Sequence, residues 1–210
     1  MAVQKKLDYS VEDYLAIERE AVDGKHEYVA GNVFAMTGAS FRHNLINTNL
    51  VRRIGNQLEK GPCMALANDM RVRIESADAC TYPDFIALCE APSFFDNRTD
   101  TITNPALIIE ILSPSTEGYD RGGKFALYRH LPSLTQYALI AQDRLSVDLY
   151  TRQDDNRWLL TAYEQPDDHI ELESIGCSVR LGDLYEKVDL SAEAAGEFSA
   201  ERRRQRPYEW

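Results

Sequence analysis

Leu107-Ile108-Ile109-Glu110-Ile111-Leu112 is the most apolar run in the sequence around a single charge. Every residue in it except Glu110 is a large aliphatic. Neither face of the run is polar, which is the pattern of a strand buried on both sides in the middle of a sheet. A carboxylate in such a strand is costly unless something compensates its charge. A second acid sits in similar company in Tyr82-Pro83-Asp84-Phe85-Ile86-Ala87-Leu88. Period-two alternation there predicts Tyr82, Asp84, Ile86 and Leu88 on one face of a strand. Two acids on two buried strands, with a lysine soon after, suggest a hard-cation site. The structural alternative is an arginine or lysine that neutralises each acid as an ion pair.

Working outward, the residues before this pair read as a helix, a hairpin and a long helix. Ser10 followed by Glu12 and Asp13 predicts an N-cap, with Val11, Tyr14 and Leu15 on one apolar face and an end near Asp23-Gly24. His26 to Met36 reads as a hairpin turning at Ala30-Gly31-Asn32, with Glu27 as an edge carboxylate in its first strand. Phe41, Leu45, Ile46, Leu50, Ile54 and Leu58 recur at helical steps, and Gly61-Pro62 stops that helix. His43 and Asn47 lie four apart near its start, where anions are favoured. Strands are predicted at 64–67 and 70–74. Beyond Glu110 comes a helix through Lys124, Leu127, Tyr128 and Leu131, with Asp120 as its cap and Tyr128 as a packing residue. Strands at 136–141 and 145–150 follow, and a meander over 158–163 and 170–173. The expected architecture is α/β (α+β), a mixed sheet flanked by helices.

The chain has 210 residues, enough for one domain, placed at residues 1–190, with a charged tail at 191–210. No apolar run approaches membrane-spanning length, and the first ten residues lack the apolar core of a secretory signal, so the expected location is cytoplasmic. The four cysteines, Cys63, Cys80, Cys89 and Cys177, lack zinc-ligand spacing and read as small core residues in a reducing compartment. A net charge of −11 argues against nonspecific attraction to nucleic acid, leaving local basic surface and the tail Arg202-Arg203-Arg204-Gln205-Arg206.

Pro83-Asp84 followed by Glu110-Ile111-Leu112 resembles the PD-(D/E)XK motif of restriction-endonuclease-like proteins. More narrowly, Tyr82-Pro83-Asp84, Ile109-Glu110-Ile111-Leu112-Ser113-Pro114-Ser115-Thr116, Asp120-Arg121-Gly122-Gly123-Lys124, Tyr128 and Gln136-Tyr137 resemble the Uma-two endonuclease family. Glu27-Tyr28, Gly31 and His43 also fit that family's layout, and the likeness runs from about Ser10 to Leu190. One departure from the broader superfamily is Leu112, where a lysine is usual; Lys124 on the following helix takes that role in the Uma-two pattern. Ala138 and Ala141 stand where the family tends to carry Trp and Asp.

The resemblance implies a restriction-endonuclease-like fold and metal-assisted phosphodiester hydrolysis. Asp84, Glu110 and the backbone carbonyl of Ile111 would hold Mg²⁺ or Mn²⁺ through hard oxygens. The ion would polarise the phosphoryl oxygen and acidify bound water. Lys124 would orient that water or stabilise charge on phosphate. Glu27 is a further ligand candidate and His43 a phosphate contact. DNA is the expected substrate, and a homodimer the expected assembly, since two sites commonly cut the two strands of a duplex. The competing reading is a non-catalytic nucleic-acid- or partner-binding module on the same scaffold. Ser113 and Ser115 lie in no Gly-x-Ser-x-Gly elbow and read as turn formers. A glycosidase pair would leave the lysine unused.

Overall fold

Six strands form the principal sheet of the computed structural model, in the order β11-β10-β9-β8-β6-β3. These are β3 (Met64–Ala67), β6 (Phe85–Leu88), β8 (Leu107–Leu112), β9 (Gln136–Ala141), β10 (Val147–Arg152) and β11 (Trp158–Tyr163). Every residue of β8 and of β9 is buried, as an aliphatic central strand requires. The two run parallel, with Glu110 opposite Leu139, while the remaining neighbours are antiparallel, so the sheet is mixed. The structure describes residues 8–22, 24–114 and 116–191. Ser115, Asp23 and the basic tail lie outside that range.

Alternation along β8 divides the core. Leu107, Ile109 and Ile111 face a layer made by α2 (Phe41–Leu58) and the C-terminal residues, where Ile46, Leu50, Ile54 and Leu58 pack. Ile108 and Leu112 face the other way, toward Tyr128, Leu131, Leu134 and Tyr137 and toward Val72 and Ile74. Glu110 therefore projects from the same face as Ile108 and Leu112. That second layer contains the five-stranded sheet β2-β1-β5-β4-β7. Its strands are β1 (His26–Val29), β2 (Asn32–Ala35), β4 (Arg71–Ile74), β5 (Ala79–Thr81) and β7 (Thr101–Ile102).

The N-terminal helix-hairpin forms as its residues dictate. Ser10 caps α1 (Val11–Glu20) in a capping box with Asp13. The β1–β2 turn carries Gly31 at φ +82°, and a Cβ there would also press on Asp8, so glycine is required. Tyr14 of α1 stacks on Tyr28 of β1, with centroids 5.3 Å apart, and Val33 packs with them. This fixes Glu27 on the opposite face of the hairpin.

Three expectations require correction. Asp84 lies one residue before β6, not within a strand, because Pro83 has no N–H to extend the ladder. The strand at 169–172, β12 (His169–Leu172), does not continue the meander from β11. It pairs instead with β13 (Cys177–Arg180) as a separate hairpin. Cys63 and Cys89 form a disulfide, joining the ends of β3 and β6, while Cys80 and Cys177 are the buried thiols expected. Their spacing of 26 residues hid this pairing, which the β3–β6 register creates.

Candidate active site

β6 ends where β8 continues, and the first acid fills that gap. Phe85 pairs with Ile109, so Asp84 comes opposite Glu110. With no backbone partner left, the Ile111 N–H donates to Asp84 Oδ2 at 2.7 Å. Asp84 Oδ1 lies 3.0 Å from His43 Nε2, near the start of α2. Ser40 caps that helix by accepting from the His43 N–H at 3.1 Å, and its hydroxyl donates to Gln142 beyond β9. The cap and that hydrogen bond set where His43 points.

The other half of the site comes from one irregular helix. It begins as α3 (Glu117–Tyr119), passes through a π turn (Asp120–Lys124) and ends as α4 (Phe125–Tyr128). The widened turn brings Asp120, Lys124 and Tyr128 inward together, all buried. Gly123 permits it, because a Cβ there would lie 2.5 Å from the Tyr119 ring. Asp120 is thus no cap: it starts the π turn inside the helix, with its carboxyl toward the lysine.

Lys124 Nζ is the hub. It lies 3.0 Å from Glu27 Oε1, 3.1 Å from Glu110 Oε1 and 3.7 Å from Asp120 Oδ1. Glu27 is no exposed edge carboxylate: it is buried, and the Tyr82 N–H donates to it at 3.2 Å. Tyr128 does more than pack. Its hydroxyl lies 2.8 Å from Glu110 Oε1 and 3.1 Å from Thr81 Oγ1. Tyr137 donates to the Asp120 carbonyl at 3.0 Å, bracing the turn.

Four carboxylates therefore gather with one ammonium. Burial raises the Glu110 carboxyl, and Asp84, Asp120 and Glu27 raise it further against the pull of Lys124, so it titrates at about 8. Burial likewise raises Asp120. Lys124 is drawn down by burial, but Glu110, Glu27 and Asp120 outweigh this and hold it protonated. Such a cluster is short of positive charge, and its donors are hard oxygens, which fits a divalent cation such as Mg²⁺ or Mn²⁺. Among the described residues, no three His, Cys, Asp or Glu side chains converge tightly enough to form a metal site. Geometry explains this: Lys124 stands among Glu27, Glu110 and Asp120, while Asp84 is turned to the Ile111 N–H.

The structure thus brings Asp84, Glu110, Lys124, Glu27 and His43 into one site. The sequence reading missed the contacts of Tyr128, Thr81 and Asp120. The one signal available for Asp120 and Tyr128 was their spacing of four on either side of Lys124.

The chain is thus a mixed α+β fold with two acids at a strand break and a lysine on the following helix. The chain belongs to the Uma2 family, described as "Putative restriction endonuclease", which matches residues 11–182. It is 40% identical over 176 residues to an uncharacterized protein of Synechocystis sp., covering 84% of this chain and 90% of that one. A second uncharacterized Synechocystis protein is 37% identical over 149 residues, 71% of this chain and 84% of its own length. The crystal structure of a putative nuclease belonging to DUF820 from Anabaena variabilis superposes with a TM-score of 0.70 at 18% identity. That match covers 85% of this chain and 98% of the other, and it shows the shared fold. No helix among the described residues is long and apolar enough to cross a membrane.

Proposed function

We propose that this protein is a divalent-metal-dependent endonuclease that hydrolyses phosphodiester bonds of DNA. The observation that carries the reading is the buried meeting of Glu27, Glu110 and Asp120 on Lys124, with Asp84 opposite Glu110 at the strand break. A purely structural core has no need of three acids on one buried cation with a fourth beside them, since buried charge is costly. Asp84 and Glu110 would hold Mg²⁺ or Mn²⁺. The Ile111 carbonyl joins them, because in an extended strand it faces the same edge as the N–H that Asp84 accepts. The bound ion would polarise the phosphoryl oxygen and acidify water. Lys124 then supplies a compact positive charge for the phosphate or the attacking water, and Tyr128 holds Glu110 in place. Glu27 anchors the ammonium, and His43 fixes Asp84 and offers a proton donor to a phosphate. The family described as endonucleases supports the reaction class.

Plasmid and single-stranded DNA incubated with Mg²⁺ or Mn²⁺ test this, comparing wild type with Asp84→Ala. Cleavage that needs metal and is lost in the variant supports the reading. Equal background in both, or none, moves the weight to a binding module on the same scaffold.

We propose further that the domain spans residues 1–190, lies in the cytoplasm, where the Cys63–Cys89 bond sets it apart from most proteins of that compartment, and pairs as a homodimer through β11. That strand ends the principal sheet, its residues 158–163 carry no charge, and Leu159 and Leu160 are about half exposed. The Gln153 N–H bonds to the Arg157 carbonyl, which sets odd-numbered residues of β11 toward β10. Trp158, Leu160 and Ala162 therefore turn their backbone groups outward, ready for a second copy.

A further inference from the structure

The elements that build the acid–lysine centre present two aromatic rings to solvent. Phe34 lies directly opposite Glu27 in the β1–β2 register, so the two side chains share a face of the hairpin. Glu27 reaches Lys124 from that face, yet Phe34 is 54% exposed. On the other side, Tyr119 immediately precedes the π turn and covers Gly123, and it is 42% exposed. Its hydroxyl is raised first by burial and then by the charge of Glu27, which places it within electrostatic reach of the same carboxylate.

Most cations near these elements are already paired. Lys25 is held by Asp69, Arg121 by Glu117 and Asp148, and Arg144 by Glu117 and Asp143. Arg42 donates to the Ser191 carbonyl, and Arg129 at the end of α4 lies over the Phe125 ring. Duplex DNA is gripped chiefly by lysine and arginine on its phosphates, and a chain of net charge −11 with most of its local cations paired is poorly equipped for that. Unpaired bases offer another handle, because every base has a face that stacks on an aromatic ring.

We propose that Phe34 and Tyr119 are nucleobase-stacking side chains flanking the acid–lysine centre, so that the preferred substrate is single-stranded or locally unpaired nucleic acid. This rests on the nuclease reading and names its substrate class. The scissile phosphate would approach Lys124 while a neighbouring base lies against each ring. Selectivity for an unpaired strand follows, since bases stacked within a duplex cannot also stack on the protein.

The test is fluorescence anisotropy with a labelled 15-nucleotide single strand and the matching duplex, first with EDTA and then with Ca²⁺. Wild type should bind the single strand more tightly than the duplex. Phe34→Ala and Tyr119→Ala should each weaken single-strand binding by about 5- to 150-fold, the range for losing one stacked base. Phe34→Trp and Tyr119→Phe keep a ring and should retain it. Duplex preference in the wild type, no binding under either condition, or alanine variants that bind like wild type would overturn the proposal. Failure of the nuclease reading looks different: the strand binds through both rings and is never cut. Cleavage that ignores both alanine substitutions would sink the stacking proposal alone.

Discussion

Replacing Lys124 by methionine removes the cation from among the buried carboxylates while nearly keeping its volume. At about 3 Å and an effective dielectric of about 20, each contact with the ionised carboxylate of Glu27 or Glu110 is an attraction of about 5 kcal/mol, which for Glu110 is complete only above about pH 8. Desolvation cancels much of it, and the cost of leaving buried charge unpartnered is about 3–5 kcal/mol. A whole domain is stable by about 5–15 kcal/mol, so the variant stays folded but weakened. For a domain of this size the loss corresponds to a fall in Tm of roughly 6–20 °C. The sign of the pH dependence follows from the acids. Glu110 and Asp120 are raised in the folded state, so their protonated forms favour folding and that contribution is lost as pH rises. Removing Lys124 raises them further. The deficit should therefore be small at pH 5 and grow as wild-type Asp120 and Glu110 ionise, continuing above about pH 8, and Mn²⁺ should recover part of it by replacing the lost positive charge. Urea melts at pH 5 and pH 9, with and without Mn²⁺, measure this. A deficit below about 1 kcal/mol at pH 9, or one that is the same at both pH values, would refute the role given to Lys124.

The other predictions concern the groups around it. Tyr128→Phe deletes the hydroxyl shared by Glu110 and Thr81 and should cost about 1–3 kcal/mol, seen as a lower urea midpoint at unchanged slope; an unchanged midpoint would contradict the contact. Wild type without metal should lose stability as pH rises from the ordinary carboxyl value of 4.5 through about 8, and Glu110→Gln should lose that slope; parallel curves would show that Glu110 does not carry the proton. Leu160→Lys places a charge at the centre of the β11 edge and should shift sedimentation from dimer to monomer, whereas a wild type that is itself monomeric would end the pairing proposal.

Much of this was legible in the chain because some residues announce their surroundings. An aliphatic run such as Leu107–Leu112 has few homes other than a central strand, so Glu110 was marked as an anomaly from the outset. The α2 spacing, the Ser10 cap and the hairpin turn at Ala30-Gly31 are local signals, and they formed locally. What escaped depends on distant contact. Alternation carried Asp84 into a strand that Pro83 cuts short. Glu27 looked like a surface acid because nothing nearby in sequence reveals that Lys124, almost a hundred residues later, comes to meet it. Asp120 has the composition of a cap, and only the π turn, which helical spacing does not disclose, turns it inward. The Cys63–Cys89 bond and the split into a six-stranded and a five-stranded sheet follow from strand pairing at long range.

Titration with Mn²⁺ followed by electron paramagnetic resonance shows whether the buried acids form a cation centre. Each wild-type chain should bind one Mn²⁺, weakened strongly in Asp84→Asn and Glu110→Gln, with a proton released on binding at pH 7. A wild type that leaves Mn²⁺ free in solution, or variants that bind it equally well, would contradict it.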